Sequence, residues 1–228
     1  MVSWYTVEKR RKDGDTVLNP SKIPVTDRDK TTAMDLFGDL FLLSFMWLVC
    51  SALIVTIPLA CIALYDAVAH CVVGGEKEPV KRFWYTAKRE LIRGILMGIA
   101  WIVVCVLGFM SFTYLQVMGT EMALFSVYSY VYLATMVIPV AIAIWSVPVQ
   151  SRFCYGFWGL HKASAIFALN NLPQTAIMVA VLVGLAVLFA FVPVASVLLL
   201  ILPGILTLIQ SRTVEIAFAP YMEENNND

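Results

Sequence analysis

Six apolar runs, at roughly 36–57, 58–73, 94–117, 122–150, 174–192 and 194–210, alternate along the chain with short polar stretches. The basic residues avoid those runs. Seven precede residue 31, six lie in 77–93, two in 151–173, and the last is Arg212. Nearly all of the Asp and Glu keep out of the runs as well. Hydrocarbon cannot solvate a charge, so this partition predicts an all-α, polytopic helical membrane protein.

The basic segments also predict a topology. Lys and Arg are retained on the cytoplasmic side, so an even number of crossings separates each basic segment from the next. That gives about six transmembrane helices in three hairpins, 36–73, 94–150 and 174–210, with the N-terminus and C-terminus cytoplasmic. The middle hairpin is the clearest, since each arm exceeds the roughly 20 residues that span a bilayer. The return arm 58–73 is the shortest, about 24 Å as a helix, and it contains Asp66 and His70. A re-entrant 58–73 that dips and returns would leave five crossings.

The domain reading follows. Residues 1–35 form a polar cytoplasmic arm and 36–212 a single transmembrane domain. Segments 76–93 and 151–173 are cytoplasmic and amphipathic, and 213–228 is a cytoplasmic tail. Composition adds little except exclusions. Sixty per cent apolar residues, 14% charged and zero net charge leave no basic, aromatic-laced surface of the kind that binds nucleic acid. The first apolar run begins too late for a cleaved signal peptide, so it is expected to remain as an anchor. The five cysteines lie in or beside apolar runs without C-x-x-C spacing, which suits small buried side chains better than metal or redox work.

Two places invite a functional reading. Asp66 is the one acid well inside an expected span, and His70 follows at i+4 on the same face, a candidate intramembrane polar pair for a proton or cation relay. The bland alternative is that the pair reaches water at the inner face. The second place is 76–93, where Phe83, Ala87 and Leu91 recur at four-residue spacing with Val80 and Trp84 beside them. Lys81, Arg82, Lys88, Arg89 and Arg93 make up the cationic remainder. This segment is expected to contact lipid or a partner through Lys81, Arg82, Phe83, Trp84, Lys88, Arg89 and Arg93. In 151–173, Asn171 is expected to cap a helix and Pro173 to occupy its first turn.

No catalytic constellation is present. The two histidines fall in no H-E-x-x-H or other metal-binding spacing, and there is neither a G-x-S-x-G elbow nor a Walker A loop. The chain is therefore expected not to be an enzyme and to need no metal and no cofactor.

The run Trp47 through Tyr65, with Ile54-Val55-Thr56-Ile57 followed by Ala63-Leu64-Tyr65, resembles the opening hairpin of the YesL-like integral membrane proteins of Gram-positive bacteria. Further points of likeness are Arg82-Phe83 and Lys88, Asn171-Leu172-Pro173, and Pro203-Gly204. The resemblance covers roughly 34–220. It implies a small multi-pass protein of the plasma membrane, associated with carbohydrate uptake by ABC-type systems, and it assigns no catalytic or binding residue. The chain departs from the family pattern at Pro58, Asp66 and His70, so the resemblance gives that pair no role. The expected function is an accessory membrane protein of carbohydrate uptake, with the lipid bilayer and ABC sugar-transporter subunits as partners. A self-sufficient small carrier or channel, and a structural or regulatory membrane protein, are the alternatives.

Overall fold

The structure is a computed structural model and describes residues 33–73, 78–119, 123–153, 155–191 and 201–223. The expected N-terminal arm, apart from its last three residues, and the final residues of the tail lie outside the described residues. Among the described residues every regular element is helical. Helix α1 (Ala33–Cys50) is followed by a single 3-10 turn, Ile54–Thr56, and by α2 (Ile57–Ala67), which continues into a π-helical turn over Val68–Val73. Then come α3 (Pro79–Arg89), α4 (Leu91–Gly119), α5 (Ala123–Thr135), α6 (Val137–Arg152), α7 (Phe157–Asn170), α8 (Leu172–Phe191) and α9 (Leu202–Glu223).

The breaks have local causes. Pro58 and Pro79 sit in the first turns of α2 and α3, where a missing N–H is no loss. The break between α5 and α6 falls at Met136, not at Pro139 itself. The proline ring collides with the carbonyl four residues earlier, that of Thr135, so the helix parts there. Asn171 closes α7 and stands at the start of α8: its backbone and side-chain nitrogens both donate to the Phe167 carbonyl, at 3.1 and 3.0 Å, and its own carbonyl accepts the Thr175 N–H at 3.0 Å. The chain turns by 103° between α7 and α8 at that point.

Among the described residues, three stretches are long and apolar enough to cross a bilayer: Ile54–Val73, Leu91–Gly119 and Val127–Arg152. The bent pair Phe157–Asn170 and Leu172–Gly184 makes a fourth if it is one broken span. The expected first span, 36–57, is shorter as a helix, with an apolar length of Leu36–Cys50. Residues 192–200, which include the expected turn of the third hairpin, lie outside the described set.

These stretches are not equivalent. The most apolar part of Ile54–Val73 is 67% buried inside the protein, against 11% and 17% for Leu91–Gly119 and Val127–Arg152. Helix α2 is the hub, touched by α1, α3, α4, α6 and α9. Ile62 and Tyr65 face Trp145 and Phe167, whose rings stack at 6.0 Å. Ala63 and Leu64 face Leu43 and Phe83. Helix α4 packs on this hub only through its first turns, where Gly94 meets Leu59 and Gly98 meets the backbone of Val55.

Helix α9 reaches α1 by an equally close approach. The Gly204 N–H donates to Ser44 Oγ at 2.9 Å, and Ser44 donates to the Leu40 carbonyl at 2.8 Å. A Cβ on Gly204 would lie 2.6 Å from Ser44 Oγ and 2.9 Å from the Leu40 oxygen. Gly204→Ala should therefore destabilise the fold by about 1–3 kcal/mol, read as an earlier midpoint in SDS-induced unfolding from mixed micelles. A midpoint unchanged by the substitution would mean that α1 and α9 do not approach this closely.

Candidate functional site

Asp66 and His70, the polar residues inside the run 58–73, meet charged and polar groups of α3 and α6 at one end of the hub. Asp66, in the last turn of α2, is only 1% exposed. Arg82 of α3 donates through Nε to its Oδ2 at 2.7 Å, and Thr86, one turn further on, donates to the same oxygen at 2.6 Å. Ser151, at the end of α6, donates to Oδ1 at 3.3 Å. Both carboxylate oxygens are thus engaged by residues from two other helices. A buried carboxylate is tolerated on such terms, with a cation and hydrogen bonds standing in for water.

His70 extends the cluster from the π-helical turn. Its Nδ1 lies 3.0 Å from the Asp66 carbonyl, and its Nε2 lies 3.2 Å from an Arg82 nitrogen and 3.5 Å from one of Arg152. Guanidinium nitrogens only donate. Nε2 therefore accepts, and Nδ1 carries the proton and donates to the carbonyl, a tautomer assigned from these partners.

A second node lies one turn along α3. Glu90 is also 1% exposed and occupies the break between α3 and α4. Arg89 Nε approaches it at 3.1 Å, Arg93 at 3.5 Å, and the Gln150 amide at 3.4 Å. Arg82, Thr86 and Glu90 fall at i, i+4 and i+8, so one stripe of α3 supplies both nodes.

This geometry redistributes the expected contact residues. Lys81, Trp84, Lys88 and Arg93 point outward, with Tyr85 beside them at 47% exposure. Arg82 turns inward to Asp66. Arg89 reaches Glu90 while its guanidinium lies 5.4 Å from the Tyr85 ring centre. Phe83 is fully buried among α1 and α2 residues, which corrects its reading as a lipid- or partner-contacting side chain. Phe83 and Ala87 of the apolar face are covered by the protein's own hub, while Trp84 and Leu91 stay exposed. Thr86, Glu90, Gln150, Ser151 and Arg152 were not singled out from the sequence. The four-residue recurrence of Arg82, Thr86 and Glu90 was the signal available for the first two.

A shallow apolar cavity of about 190 Å³ lies between α1, α2 and α3, lined by Cys50, Leu59, Ala60, Trp84, Lys88 and Leu91 among others. Among the described residues no group of three or more His, Cys, Asp or Glu is placed to hold a metal ion.

Residues 40–112 match the family described as "Protein of unknown function, DUF624". That stretch runs from α1 through most of α4 and takes in Asp66, His70 and both faces of α3. YesL-like proteins fall within this family, so the sequence resemblance is supported at the level of DUF624. No curated protein and no solved structure matches the chain.

Proposed function

We propose that this chain is a non-enzymatic accessory protein of a plasma membrane, multi-pass and with both termini cytoplasmic. In this reading it is linked to carbohydrate uptake by an ABC-type system, in a Gram-positive bacterium. The link to carbohydrate rests on the YesL-like resemblance. The observation that carries the accessory role is the two-faced helix α3. Its inner stripe is tied to α2 and α6 through Asp66 and Glu90, while its outer stripe presents Lys81, Trp84, Tyr85 and Lys88. A rigidly held helix with a cationic, aromatic outer face suits a docking surface for another protein's acidic or amphipathic segment.

The carrier alternative asks Asp66 to exchange ions with water. Its two oxygens are occupied by Arg82, Thr86 and Ser151 and its side chain is almost wholly buried, which favours a structural part for the pair. Purification of the tagged protein in mild detergent, with mass spectrometry of what accompanies it, is the test. Sugar-permease or solute-binding subunits should be recovered with the unchanged chain and lost on Lys81→Glu/Lys88→Glu, with membrane insertion intact. Recovery of the chain alone would overturn the accessory reading. Substrate flux through the purified protein, abolished by Asp66→Ala, would put the carrier in its place.

A further inference from the structure

Helices α2 and α3–α4 run antiparallel in a readable register. Arg82 and Thr86 stand at Asp66, Lys88 and Leu91 line the cavity beside Leu59 and Ala60, Gly94 meets Leu59, and Gly98 meets Val55. The outward cations Lys81, Lys88 and Arg93 therefore flank α2 along the stretch from Asp66 to Leu59. If α2 crossed the bilayer, these three would sit in hydrocarbon, where ammonium and guanidinium groups are strongly disfavoured.

An uncharged region begins only beyond them. No charged residue occurs from Gly94 to Thr120, or from Met122 to Ser151. Past Gly98, α4 continues for about 30 Å to Gly119, the thickness of a hydrocarbon core. Its side chains there face outward around much of the helix, with Leu107 59%, Phe109 72% and Met110 64% exposed. The hydrocarbon boundary on the basic side thus lies near Arg93 and Arg152, and the hairpin of α4 with α5–α6 is what crosses.

Measured on that scale, the connection between α1 and α2 is shallow. It stands beside Gly98, about 7–8 Å beyond Arg93. Its chemistry fits a position inside hydrocarbon. No charged residue occurs from Leu40 to Tyr65, whereas the connection between α4 and α5 carries Glu121. Leu53 and Ile54 are each 69% exposed. Several backbone groups of the connection are satisfied within it: the Ser51 N–H donates to the Trp47 carbonyl at 2.8 Å and the Thr56 N–H to that of Leu53 at 2.9 Å. The Thr56 hydroxyl lies 2.5 Å from the Cys50 carbonyl and 2.7 Å from that of Leu53. Internal satisfaction of this kind is what a water-free setting demands of non-helical backbone.

The geometry points to α1–α2 being a re-entrant wedge. It enters and leaves on the basic side of the membrane, stops within that leaflet, and presents Val49, Leu53 and Ile54 to its acyl chains. Helix α2 is apolar because it is the core of the protein, not because it spans.

Single cysteines at Lys81, Ala52 or Met118, each in an otherwise cysteine-free full-length chain in oriented vesicles, test this with a membrane-impermeant maleimide. Lys81→Cys marks the basic side, and Met118→Cys should label from the opposite side. Ala52→Cys should resist label from the opposite side, and a nitroxide there should report a depth within about 10 Å of the basic-side boundary. Labelling of Ala52→Cys from the same side as Met118→Cys, or a nitroxide depth nearer that side, would overturn the wedge. In the unaltered chain, mass-resolved labelling of the native Cys50 asks the same question without any substitution. Protection of Cys50 from the Met118 side supports the wedge, and modification from that side overturns it.

Discussion

Arg82→Ala is expected to cost about 3–5 kcal/mol of stability, because it strands a carboxylate that is 1% exposed without its cation. The hydroxyls of Thr86 and Ser151 would remain on Asp66 but bring no positive charge. The readout is the midpoint of SDS-induced unfolding in mixed micelles, compared with Lys81→Ala one residue away. Lys81 pairs with Glu78 at 3.0 Å, but the two side chains are 80% and 64% exposed, so that substitution should change little. The double variant Arg82→Ala/Asp66→Leu should recover most of the loss, since an apolar filler needs no partner. Equal midpoints for Arg82→Ala and Lys81→Ala would show that the pair is not buried. A double variant as weak as Arg82→Ala would show that the damage comes from lost packing of the arginine stem.

The second large effect is expected at Gly98. A Cβ there would fall inside the van der Waals envelope of the Val55 carbonyl, a backbone atom that no rotamer change can move aside. Overpacking of this kind typically costs 1–3 kcal/mol, and Gly98→Val belongs at or above about 3 kcal/mol. Gly108→Val on the same helix is the control, because a Cβ there meets only the Met136 sulfur, at 3.4 Å, and the Tyr132 hydroxyl, at 3.8 Å, both ends of flexible side chains. If the two variants unfold alike, α4 does not approach the α1–α2 connection as closely as described.

The charge partition made the helical, membrane-compatible class of this protein legible in its sequence, and the middle hairpin stood out because its two uncharged runs are each long enough to span a bilayer. The standing of α2 was not legible. An apolar run of that length looks the same whether lipid or protein covers it, and only the register of Gly94 and Gly98 tells the two apart. Asp66 was recognisable as unusual, but its partner was not, since Arg82 lies in a separate helix and reads as one cation among five. Phe83 misled for a related reason: four-residue spacing reveals that a face is apolar, not what covers it. Pro139 stands in the sequence beside the break between α5 and α6, and the position of that break three residues upstream follows from the clash with the Thr135 carbonyl.

The link between Asp66 and Arg82 also has a place in time. The carboxylate emerges from the ribosome sixteen residues ahead of the guanidinium that neutralises it, an interval of about 1–3 s at ordinary rates of synthesis. Ser151 follows 85 residues after Asp66. The first hairpin therefore leaves the ribosome before the cation that its acid meets in the folded protein, and the pair that ties α2 to α3 can close only once α3 has been made.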